Sequence, residues 1–164
     1  MTVPREVGLI RTEEGGYLLT QRPVAEVQNL RDDTSKVELA DRTIDTPGIP
    51  LDTLVGDALE IEFAFEPGTA REVGLVIKRG PKERTRIGYD VVRNTVFVDR
   101  SGSGFSLLSQ SLPGRHDAPL RPDPAGLISL TVLLDRTSVE VFSGDGGAVI
   151  TDVVLASPGS VESQ

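Results

Sequence analysis

The feature that most constrains this chain is its punctuation. Apolar residues come in short runs, many of them β-branched, and each run is closed by a cluster of glycine, proline or acidic residues. The runs are VGLIRT (7–12), YLLTQ (17–21), KVEL (36–39), ALEIEFAF (58–65), EVGLVIKR (72–79), RIGYDVV (86–92), TVFVDR (95–100), GFSLLS (104–109), LISLTVLLD (127–135), SVEVFS (138–143) and AVITDVVLA (148–156). Between them stand EEGG, TPGIP, EPGT, SGSG, PGRHDAP, RPDPAG and SGDGG. Short apolar runs at such spacing are strands, and many strands joined by tight turns make a sandwich or a barrel. The fold expected is therefore all-β: a two-sheet antiparallel β-sandwich of the concanavalin-like jelly-roll kind. Only PVAEVQNLR (23–31) reads as helical, with proline at a plausible first position and Val24, Val27 and Leu30 at helical spacing.

With 164 residues the chain is long enough for one core but short for two. Residues 1–156 are expected to form a single domain, and the small polar residues at 157–164 a flexible tail. The closing segment parses further. LISLTVLLD has the composition of a central strand, Asp135-Arg136-Thr137 turns the chain, and SVEVF returns with Val139 and Val141 on one face and Ser138, Glu140 and Phe142 on the other. Asp145-Gly146 predicts a type I′ hairpin, with both central residues at positive φ. Asp152 interrupts an apolar strand and suggests a wetter face.

Composition removes several functions. The formal charge of −8 argues against a nucleic-acid partner, which needs clustered lysine and arginine. The one basic run, KRGPKERTR (78–86), contains Glu83 and a Gly80-Pro81 turn, and reads as a solvated hairpin loop. No cysteine and a single histidine, His116, leave no basis for a metal site, and no cofactor is expected. No apolar run approaches the roughly 20 residues of a membrane span. MTVPREVGL carries two charges before any apolar stretch, so it is not read as a secretory signal; an exported parent protein would carry its signal outside this chain.

Several of these stretches, in this order, resemble the C-terminal β-sandwich domain of glycoside hydrolase family 32, the family of levanases, inulinases and invertases. They are the entry MTVPREVGL with its LTQRP strand end, the middle IGYDVVRNTVFVDRSGSG, the connection LPGRHDAPL and the closing LTVLLDRTSVEVFSGDGGAVITD. A related fold occurs in the family 66 fructan-binding modules. The resemblance implies that chemistry belongs to a separate N-terminal five-bladed propeller with Asn-Asp-Pro-Asn, Arg-Asp-Pro and Glu-Cys motifs. None of these is present. The only asparagines are Asn29 and Asn94, Arg121-Pro122-Asp123-Pro124 is a different sequence, and cysteine is absent. No catalytic residue is expected here.

What, then, do the charged residues do? RIGYD and VFVDR, joined by the short VRN connection, would bring Arg86, Tyr89, Asp90, Asp99 and Arg100 to neighbouring strand ends. That set contains what a pocket for a terminal fructose needs: guanidinium groups and carboxylates for vicinal hydroxyls, and a ring edge. The same residues read equally as strand-end architecture. Asp135, Arg136 and Glu140 are expected to be structural, as a turn and a salt bridge. Glu60 and Glu62 share a strand face at about 6.5–7 Å, a spacing that could serve a glycosidase or simply a solvated stripe. With no tryptophan to build a platform, the stripe is the better reading. The expected function is therefore that of a non-catalytic accessory domain of a fructan-acting hydrolase, supporting its propeller or mediating a homodimer. The alternative is a carbohydrate-binding module for levan or inulin, and an autonomous glycosidase is a distant third.

Overall fold

A computed structural model describes residues 2–45, 48–51, 56, 58–77, 83–103 and 114–155. The Gly80-Pro81 turn, the GFSLLS run and the tail at 157–164 fall outside these residues. Among the described residues no helix is long and apolar enough to cross a membrane.

Among the described residues, ten strands form three antiparallel sheets. A two-stranded hairpin joins β1 (Arg5–Arg11) to β2 (Tyr17–Pro23). The first large sheet has the order β10 (Val149–Val153), β9 (Ser138–Ser143), β8 (Ile128–Leu134) and β3 (Leu59–Phe65). The second has the order β4 (Glu72–Ile77), β5 (Arg84–Asp90), β6 (Thr95–Gly102) and β7 (Arg115–Pro119). The all-β sandwich expected from the punctuation is what forms.

Alternation along the strands builds the core. In the first sheet Ile61, Ile128, Leu130, Val132, Leu134, Val139, Val141 and Ile150 face inward; Ile77, Ile87, Tyr89, Val96 and Val98 meet them from the second. Burial of these branched side chains, worth about 1.5–3 kcal/mol each, is the main driving force for closing the sandwich. The outer face of the first sheet is not bare either. Glu140 and Phe142 point away from the core yet are buried, with the start of the chain against them: Val3 N and the Arg5 guanidinium donate to the Glu140 carboxylate, and Arg5 also lies 5.1 Å from the Phe142 ring centre.

PVAEVQNLR does turn helical, as a short 3₁₀-helix over Ala25–Leu30, none of whose residues is buried, so no apolar face exists to reward a full α-helix. Three expectations are corrected. KVEL is not a strand: Val37 and Leu39 are exposed and no strand pairs with it among the described residues. Conversely, RHDAP, read as a connection, is the edge strand β7, a position that tolerates Pro119. At the SGDGG turn only Gly146 has positive φ (76°), with Gly146 N donating to Ser143 O; this is a type I turn about Gly144-Asp145 followed by a left-handed glycine.

Candidate functional site

Register decides where the five sugar-site candidates point. Arg86 pairs with Asp99 across β5 and β6, and Tyr89 with Val96, so Arg86, Asp90 and Asp99 lie on the outer face of the second sheet while Tyr89 and Arg100 lie on the inner. The set is split by the sheet.

The outer half belongs to a larger ion-pair lattice. Arg86 reaches Asp99 at 2.9 Å and Glu72 at 3.1 Å; Arg115 reaches Asp117 at 2.9 Å, Glu72 at 3.1 Å and Asp90 at 3.3 Å. Both guanidinium groups lie over the Phe97 ring, at 5.6 Å and 4.0 Å from its centre. Gly88 makes room for that ring: a Cβ there would stand 3.2 Å from Phe97 Cζ and 2.4 Å from Val73 O. Burial pushes the Asp99 carboxyl up, but hydrogen bonds from Ser101 and Arg86 outweigh it and hold the group below its ordinary value. Asp117 is lowered in the same way, burial being overcome by bonds from Arg115 and Thr95. Arg115 is correspondingly raised, first by its bonds to Asp117. Asp90 has a second duty: its Oδ1 accepts from Val92 N at 3.1 Å and Arg93 N at 3.0 Å, closing the β5–β6 turn in which Asn94 takes φ of 52°.

The inner half is buried. Tyr89 OH donates to Asn94 Oδ1 at 2.9 Å and lies 3.2 Å from Leu120 O; burial, then the neighbouring Asp90 charge, raises its pKa. Arg100 crosses the gap between the sheets, with Nε 3.3 Å from Asp152 Oδ1. His116 Nδ1 meets the same carboxylate at 2.8 Å. Asp152 therefore marks not a wetter face, as its place in an apolar strand suggested, but an inward-pointing acid that joins β10 to β6 and β7.

The remaining candidates have local partners. Asp135 Oδ1 accepts from Arg136 N at 2.7 Å, which holds the β8–β9 turn, whereas Glu140 sits in mid-strand under Arg5. Glu60 and Glu62 are both gripped by Arg31, through Nε at 2.6 Å to Glu60 and Nη2 at 2.8 Å to Glu62, and the guanidinium pKa is raised chiefly by its bonds to Glu60. Sequence reasoning missed Arg5, Arg31, Glu72, Arg115 and Asp117. Only Arg115 and Asp117 had a legible signal, alternation within RHDAP.

Comparison with known proteins decides the family. Residues 26–164 match the family model described as glycosyl hydrolases family 32 C terminal. The chain belongs to that family. It is 36% identical over 163 residues to a levanase of Bacillus sp. (strain L7), covering 98% of this chain and 17% of that protein. A levanase of Bacillus subtilis (strain 168) is 37% identical over 94% of the chain, which spans 23% of its length. In structure the chain is similar to an exo-inulinase from Aspergillus awamori, with a TM-score of 0.78 at 22% identity, covering 99% of this chain and 32% of that one. The family 32 C-terminal domain thus spans less than a third of either levanase.

Proposed function

We propose that this family 32 C-terminal domain is the non-catalytic accessory domain of a fructan-acting hydrolase, of the levanase, inulinase or fructosidase type, and that it stabilises a preceding catalytic propeller. One observation carries the reading: every sugar-site candidate has protein partners within the fold. Tyr89 and Arg100 are buried, and Arg86, Asp90 and Asp99 are engaged with Glu72, Arg115 and each other. Groups already tied into hydrogen bonds must break them to hold a sugar, which leaves little net gain. The carboxylate pair Glu60 and Glu62 is likewise bridged by Arg31.

The test uses the chain and its parent enzyme. The 164-residue chain is expected to release no reducing sugar from sucrose, inulin or levan, and to show no saturable binding of fructose or levan by calorimetry. Removing it from the parent enzyme is expected to lower the temperature of inactivation. Turnover by the chain that vanishes with Glu60→Gln would overturn the reading in favour of an enzyme. Saturable binding abolished by Arg86→Ala would replace it with a binding module.

A further inference from the structure

The β1–β2 hairpin stands apart from the sandwich. It is a sheet of its own, and among the described residues neither strand pairs with a third. Its base is tied by hydrogen bonds, with Gln21 N donating to Gly146 O at 2.9 Å, Arg22 Nη2 to Asp145 O at 2.8 Å, and Arg5 holding Glu140 and Thr151; on the opposite face Leu18 packs against Gly147 and Thr20 is buried. Beyond that base the register places Leu9 opposite Leu19, with Val7 and Tyr17 diagonal to the pair on the same face. Their relative exposures are 68%, 51%, 66% and 73%. Isolated exposed apolar residues need no explanation, but a contiguous quartet on a sheet face marks a surface that meets something. A bare two-stranded hairpin is also marginal in water by itself.

Two findings identify the occupant. The segment matched to the C-terminal family begins at residue 26, after the hairpin has ended at Pro23. Yet the alignment with the Bacillus sp. levanase covers 98% of the chain, and so runs through the hairpin. The hairpin is thus shared with a much longer relative while lying N-terminal to the segment matched to the C-terminal family. We infer that the Val7, Leu9, Tyr17 and Leu19 face of the hairpin is the docking surface for the catalytic domain of the same polypeptide, whose complementary surface is apolar. This rests on the accessory-domain reading above and assigns its contact.

The experiment compares one double substitution in two settings. Leu9→Thr with Leu19→Thr keeps strand preference while removing apolar surface. In the full-length enzyme the pair is expected to lower Tm by several degrees. In the 164-residue chain, where both positions are exposed, the shift should stay within about 1 °C, as for ordinary surface changes. Equal shifts in the two, or none in either, overturn the proposal. A second readout does not depend on stability. The chain has no cysteine, so Leu9→Cys provides a single alkylation site within it. Alkylation in the full-length enzyme should be at least about tenfold slower than in the chain, because a docked strand reacts only on opening. Equal rates overturn the docking. Protection that appears only as the enzyme dimerises, followed by sedimentation, also overturns it and assigns the face to a second copy. Deleting residues 26–155 from the enzyme tests the accessory reading separately: a destabilised deletion with an unprotected position 9 sinks the hairpin contact alone.

Discussion

The same dipeptide closes two similar stretches and meets opposite fates. TVFVDR at 95–100 and TVLLDR at 131–136 both run from a Thr-Val start through apolar residues to Asp-Arg. In the first, β6 continues to Gly102, so Asp99 faces outward to Arg86 while Arg100 is driven inward to Asp152. In the second, β8 ends at Leu134, and Asp135-Arg136 becomes an exposed turn that Asp135 caps. The difference is a matter of how long the neighbouring strand stays in register. Pairing with β5 and β7 carries the alternation of faces past Asp99, whereas the return into β9 stops it before Asp135. A local sequence match says little about burial when the strand ends differ.

The contrast is most open to attack at the two arginines. Arg100→Ala leaves Asp152 buried without its guanidinium and should cost about 3–5 kcal/mol. Arg136→Ala, at an exposed position, should stay within about 0.5 kcal/mol of the wild type. Urea denaturation of both variants checks this, and comparable losses would mean that strand register does not govern the pair. The outer-face arginine follows with a smaller effect. Arg86→Ala should cost about 0.5–1 kcal/mol, because Arg86 is partly exposed and solvent screens its two contacts.

Acid titration sharpens the same point. Asp99 and Asp117 have pKa values in the fold below the ordinary 3.8. Their stabilisation is fully present above the unfolded value and is lost as pH falls through the lower folded values. Stability measured from pH 6 down to pH 2 should therefore fall less steeply in Asp99→Asn than in the wild type. An unchanged acid limb would detach Asp99 from the lattice. The smallest effect belongs to the turn, where Asp135→Ala removes one exposed hydrogen bond at a cost of about 0.5 kcal/mol. A loss as large as that of Arg100→Ala would show that the β8–β9 turn, not the inter-sheet acid, anchors this region.

By itself the sequence determined the class of fold, most of the strands and the absence of the family's catalytic motifs, because period-two alternation and turn residues are local properties of the chain. The core followed as well: Val139 and Val141 were legible as one face of β9 from their spacing alone. What tertiary structure decided was the partner of each charge. Glu140 is buried by Arg5, Glu60 and Glu62 are joined by Arg31, and Asp152 is met by Arg100 and His116, across separations of 29 to 135 residues in the pairs concerned. The pairing of distant charges depends on which segment crosses which face, and no local pattern encodes that. The candidate pocket failed to converge for the same reason, since a strand sends consecutive side chains to opposite sides and only the packed second sheet determines which side is water.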